Sequence, residues 1–208
     1  MMLGARTGAW GGKPLPYLRR VEYLKSHGTE WICTGVNTKQ TLKIRSVFET
    51  NSTVSYYVYG VRFENSTITC ASGSSISDLH YGVARWGESA RTQVVPSGLV
   101  DIIQDSSGVI INGSSYSYDY KQTVIERSGY TMVLFAARNG PTTVASNMVG
   151  KIYYCAIWDD DVLVRDFIPV RFTNDRGETE GAMYDRVSGQ IFGNQGTGAF
   201  IIGPDKTT

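Results

Sequence analysis

Apolar and polar residues alternate with a period of two over much of the chain, which predicts half-buried β-strands. In Thr41 to Thr50, Leu42, Ile44, Ser46 and Phe48 face one way, and Lys43, Arg45 and Glu49 stand between them. Val54 to Phe63 is rich in Val and Tyr and is punctuated by Gly60, which predicts a bulge or a close backbone approach. Shorter strands are predicted near Thr67–Ala71, Tyr81–Trp86, Thr92–Val95 and Leu99–Gln104. Near the start, Leu18, Val21 and Leu24 could serve one helical face, but the period of two that follows favours a strand leading into a turn at Ser26-His27-Gly28.

Asn112-Gly113 between β-formers signals a tight hairpin, because a type I′ turn needs positive φ at both central residues. Thr131 to Arg138 and Lys151 to Trp158 are apolar on both parities, as central strands covered on both faces would be. Val162–Phe172, Gly181–Arg186, Gln190–Phe192 and Ala199–Ile202 complete the set, with turns at Asp159-Asp160-Asp161, Asn174–Gly177 and Ser188-Gly189. Many short strands at regular spacing, almost no helix and no internal repeat predict an all-β, two-sheet antiparallel β-sandwich. Residues 1–16, broken by Gly and Pro, read as a flexible N-terminal extension whose Leu3 and Trp10 could dock on another protein. Residues 17–208 read as a single domain.

Composition sharpens this picture. Only 19% of the 208 residues are charged, while Gly numbers 23 and Tyr 13, a balance common in all-β proteins. The net charge of +1 offers no electrostatic footprint for nucleic acid. The longest apolar stretches fall far short of a membrane span, and the first ten residues lack the apolar run of a signal peptide. Cys33, Cys70 and Cys155 are odd in number and widely spaced, so they read as buried thiols of a chain made in the cytoplasm, a reducing compartment, rather than as disulfides or a zinc site.

Catalytic patterns are sparse. A glycosidase needs two carboxylates facing one cleft, and the nearest approach, Glu178-Thr-Glu180, sits in a solvated turn without the third carboxylate of the glucanase motif. His27 and His80 lie in unrelated surroundings, and there is no Gly-x-Ser-x-Gly elbow. Asp159, Asp160 and Asp161 could hold calcium with backbone oxygens as further ligands, or could simply form a solvated hairpin turn. The aromatics point to binding, since sugar rings present apolar C–H faces to Tyr and Trp. Tyr116, Tyr118 and Tyr120 share one parity, His80, Tyr81, Arg85 and Trp86 cluster in sequence, and Trp158 stands beside the Asp run. Cross-strand packing within a sheet would use the same tyrosines. The candidate ligand-binding residues are Tyr116, Tyr118, Trp86 and Trp158.

Several segments resemble a module of phage and prophage structural proteins and of gut bacterial proteins. They are Arg20–Leu24, Gly28–Gly35, Leu134–Asn139, Lys151–Cys155, Leu163–Val170, Met183–Arg186 and Gly196-Thr-Gly198, spanning Tyr17 to Gly203. The resemblance implies a concanavalin A-like, laminin G-like jelly roll with no defined catalytic residues. It implies a virion, tail-associated or surface-binding role, with saccharide, and sometimes calcium, bound on the concave sheet or its rim. Asp166, Asp185 and Arg186 could tie the last strands together with Arg165 or Arg171, or contribute to a ligand site. The expectation is a non-enzymatic module that recognises a carbohydrate or cell-surface ligand. A purely structural assembly subunit, able to oligomerise and to contact virion proteins, is the first alternative, and a glycoside hydrolase with atypical carboxylates the second.

Overall fold

The burial of Leu42–Thr50 alternates without a break, with Leu42, Ile44, Ser46, Phe48 and Thr50 inside and the residues between them partly exposed. In this computed structural model the described residues are 16–50, 56–63, 66–72, 83–86, 90–94, 98–118, 124, 129–140, 142–145 and 147–207, with 63, 66–72, 83–86 and 90–94 described as backbone alone. Among them are nineteen strands and no helix. They are β1 (Arg19–Arg20), β2 (Leu24–His27), β3 (Ile32–Asn37), β4 (Leu42–Thr50), β5 (Tyr56–Phe63), β6 (Ser66–Ser72), β7 (Val83–Trp86), β8 (Ala90–Val94), β9 (Gly98–Gln104), β10 (Val109–Ile111) and β11 (Ser114–Tyr116). Then follow β12 (Thr131–Leu134), β13 (Ala137–Arg138), β14 (Val144–Ala145), β15 (Val149–Asp159), β16 (Val162–Thr173), β17 (Thr179–Asp185), β18 (Gln190–Phe192) and β19 (Ile201–Ile202).

The strands form two sheets, so the chain is an all-β sandwich of jelly-roll type. The larger runs β11-β10-β9-β4-β15-β16-β17-β18, and the smaller runs β14-β13-β5-β6-β7-β8 with β12 between β3 and β5. Pairing is antiparallel except for β13 on β5 and an isolated bridge, Tyr57 to Asn147. The inner faces meet in one core that includes Leu24, Ile44, Phe48, Tyr56, Phe135 and Phe167. Each such side chain stabilises the fold by about 1.5–3 kcal/mol through burial. A polar contact between the two sheets is satisfied deep in this layer: the Tyr59 hydroxyl donates to Gln104 Oε1 at 2.8 Å.

Turn chemistry follows the sequence closely. Asn112 and Gly113 take φ of 49° and 86°, and Asp160 and Asp161 take 49° and 61°, as two-residue hairpins require. Two expectations need correction. The Thr131–Arg138 run is not one strand: Phe135 takes φ of 66° and turns the chain between β12 and β13. Its N–H donates to the Val58 carbonyl at 2.7 Å, and its ring packs 4.8 Å from that of Phe200, so core burial stabilises the unusual backbone. The bulge in β5 falls between Tyr57 and Tyr59 rather than at Gly60, which pairs in register with Thr69. Pro169, which lacks a donor, lies where β16 changes neighbours. The β15 pairing ends at Cys155–Phe167, and β1 takes over at Val170.

Candidate functional site

The polar parity of β4 defines the outer face of the larger sheet. Arg45 lies opposite Ile103 on β9 and Ala156 on β15, and Lys43 lies opposite Trp158. The Arg45 guanidinium forks onto Asp101, with Nε–Oδ1 of 3.0 Å and Nη2–Oδ2 of 2.7 Å, and stands 5.8 Å from the Tyr154 ring centroid. Such a planar two-bond pair holds both partners in a fixed orientation. Lys43 pairs with Asp161 and lies 5.7 Å from the Trp158 ring. Beyond Ile103 the sheet edge carries a shallow depression of about 300 Å³, lined in part by Ile103, Asp105, Ser107, Ile110, Ser115 and Tyr116. Gly108 shapes its wall: a Cβ there would sit 2.6 Å from the Tyr116 carbonyl oxygen.

Across the strands from β11 to β15 this surface is about 19 Å wide, at ~4.8 Å per strand. It presents a depression lined by both isoleucine and serine side chains, an aromatic ring at one side, and a carboxylate and guanidinium with fixed geometry between. That combination can pack the C–H face of a sugar and exchange hydrogen bonds with its hydroxyls. Tyr154 is kept protonated, its phenol pushed up to about 12 by burial first and by Asp166 next, so it stays a neutral ring at this face.

The sequence-predicted residues do not all meet. Trp158 lies on this face, and Tyr116 lines the depression. Tyr116 pairs with Val109, a core residue, so its ring also leans on the core edge. Tyr118 packs there too, and its hydroxyl donates to the Asp105 carbonyl at 3.0 Å. Trp86 lies on β7 of the smaller sheet, and its side chain is outside the described residues, as are Tyr120, His80 and Tyr81.

The Asp run forms the β15–β16 turn. Asp159 accepts from Lys39 Nζ at 2.5 Å and from Thr41 Oγ1 at 2.6 Å, and these two donors hold its carboxyl below the usual range. Asp161 pairs with Lys43, and among the described residues no three His, Cys, Asp or Glu side chains converge as metal ligands. Two of the three carboxylates of this hairpin are thus ion-paired with lysines of the chain. Glu178 and Glu180 share Asn174 Nδ2 and Arg176 at an exposed turn, with Arg176 Nε 3.1 Å from Glu178.

Four of the segments that carry the resemblance meet in two polar clusters. Asp185, fully buried, accepts from the N–H groups of Asp166, Val187 and Ser188 and from the Ser188 hydroxyl. Arg186 Nη2 lies 3.0 and 2.7 Å from the two Asp166 carboxylate oxygens, so this cluster does tie β16 to β17. At the other end, buried Glu30 accepts from Ser26 Oγ and the His27 N–H, both at 2.8 Å. Burial pushes its carboxyl up, but these bonds together with Thr29 outweigh that and hold it below the usual range. The loop at Gly196-Thr-Gly198 closes over it, pinned by Asn194, which accepts from the Trp31 and Gly196 N–H groups.

Arg45, Asp101 and Tyr154 were not singled out from the sequence. The only signal for them was the outward parity of Lys43 and Arg45; Asp101 lies 56 residues from its partner.

No protein-family model matches the chain, and a search of curated proteins returns no match. Among solved structures, the fold is similar to that of a "putative carbohydrate binding protein" from Bacteroides ovatus, with a TM-score of 0.59 and 11% identity. The match covers 91% of this chain and 61% of that one, so the present chain spans about three fifths of its neighbour's length.

Proposed function

We propose that this chain is a non-enzymatic carbohydrate-binding module that seats saccharide on the outer face of its larger sheet, between the Tyr116 depression and Trp158. The observation that carries the reading is the Arg45–Asp101 fork held between the Ile103–Ile110 depression and an aromatic ring. Trp158 takes the C–H face of a sugar, Asp101 accepts from its hydroxyls, and Arg45 donates to its ring or hydroxyl oxygens. The solved structure of similar fold is described as a carbohydrate-binding protein, which supports the same class of ligand. Assignment to a phage or prophage particle is the finer part of the proposal, and it rests on the motif resemblance alone. Copies arrayed on a particle would raise a weak single-site affinity, because later contacts become intramolecular.

Titration against a panel of bacterial and plant polysaccharides tests this reading. Trp158→Ala is expected to weaken binding about tenfold or more, equivalent to ~1.4 kcal/mol, while the thermal midpoint changes little. Parallel titrations with calcium and with a chelator should coincide. A blank panel from folded protein, with self-association that rises with concentration, would reassign the face to subunit contacts.

A further inference from the structure

We infer that the same outer face carries a second sugar-contact site at Tyr23 and Tyr153, so that the ligand is a linear, uncharged glycan held along its length. This rests on the reading of the Trp158 end as a saccharide site. Tyr153 precedes Trp158 by five positions on β15, about 16 Å at ~3.3 Å per residue. The register of β15 on β4 shifts between Ile152 and Tyr154, and Tyr153 occupies that irregularity. Both neighbouring tyrosines therefore reach outward residues of β4: the Tyr153 hydroxyl donates to Glu49 at 2.6 Å, and Tyr154 meets Arg45. Tyr23 meets Tyr153 edge-on with centroids 5.4 Å apart, and Lys151 Nζ stands 4.8 Å from the Tyr23 ring. Lys151 also donates to both Glu49 oxygens at 3.2 Å.

The second cluster thus repeats the chemistry of the first: an aromatic platform beside a fixed carboxylate and cation, on the same strand pair. Tyr154 lies between the two. Two such sites in line along β15 suit a chain of sugars better than a single terminal residue. Charge defines the class further. Lys43 pairs with Asp161, Arg45 with Asp101 and Lys151 with Glu49, so each of these cations is already balanced. Lys25 and Glu22, of opposite sign, also act on the Glu49–Tyr153 pair. An acidic glycan would have to displace these carboxylates, whereas a neutral one exchanges hydrogen bonds with them.

The probes are three neutral polysaccharides (a mixed-linkage β-glucan, a xylan and a galactomannan) and two acidic ones (alginate and polygalacturonate), compared by affinity electrophoresis. Oligosaccharides from disaccharide to hexasaccharide are then cut from whichever is retained and titrated. The hexasaccharide is expected to bind about tenfold tighter than the disaccharide, and Tyr23→Ala should erase that gain while leaving disaccharide affinity unchanged. Should Tyr23→Ala fold poorly, Lys151→Met provides the same comparison. Equal affinity along the series, or preferential retention by the acidic polymers, overturns the inference. Loss of binding in Trp158→Ala with wild-type hexasaccharide affinity in Tyr23→Ala and Lys151→Met leaves the first site standing and removes the second. Retention by none of the polymers removes both.

Discussion

Asp185→Ala is expected to lower the unfolding free energy by about 3–5 kcal/mol, the range for removing one partner of a buried charged network. The carboxylate is fully buried and accepts the Asp166 N–H at 2.8 Å, the Val187 and Ser188 N–H groups at 3.1 and 3.2 Å, and the Ser188 hydroxyl at 2.6 Å. Arg165 Nη1 lies 3.7 Å away. Alanine would leave the buried Asp166 N–H without an acceptor and the half-buried Arg165 charge without the Asp185 carboxylate, while the Val187 and Ser188 donors would have to turn to water. Asp185→Asn, which keeps one acceptor oxygen, should lose distinctly less. Urea unfolding reads the difference as a lower midpoint at constant slope. A loss under about 1 kcal/mol would mean that Asp185 does not anchor the β16–β17 pair.

Gly196→Ala should destabilise the fold by about 3 kcal/mol or more, at or above the upper end of ordinary overpacking. A Cβ built at Gly196 falls 1.8 Å from the Thr29 carbonyl oxygen and 2.8 Å from its carbon, both backbone atoms of the turn that holds Glu30. No rotamer change relieves a clash with backbone, so either the 194–198 loop or the 26–31 turn must move. Gly193, three positions earlier, has nothing within 4 Å of its Cβ position, and Gly193→Ala should stay within about 0.5 kcal/mol of wild type. The expected separation of the two variants in a thermal melt is about 6–12 °C for a chain of this size. Equal melting of both would refute the close docking of the two segments.

The sandwich was readable because its signals are local. β4 alternates residue by residue, and the Asn112-Gly113 turn needs only its own backbone. The break at Phe135 was hidden because a bulky residue at positive φ is stabilised by Val58 and Phe200, contacts far away in sequence. The exchange of β15 for β1 along β16 is likewise a matter of partner choice, which period-two patterning does not carry. The site divides in the same way. Trp158 was legible as an aromatic beside a turn, whereas Arg45, Asp101 and Tyr154 become one site only through cross-strand register. Tyr116 and Tyr118 share a parity as expected, but pairing with Val109 turns that parity toward the core edge.

Hydrogen-exchange footprinting with a saturating glycan tests the central claim most directly. Saccharide on the outer face predicts slowed exchange in β4, β9 and β15 and around residues 105–117, with the strands of the smaller sheet unchanged. Slowed exchange confined to β6, β7 and β8, or none in β4 and β15 under saturation, would contradict it and move the binding surface to the other side of the sandwich.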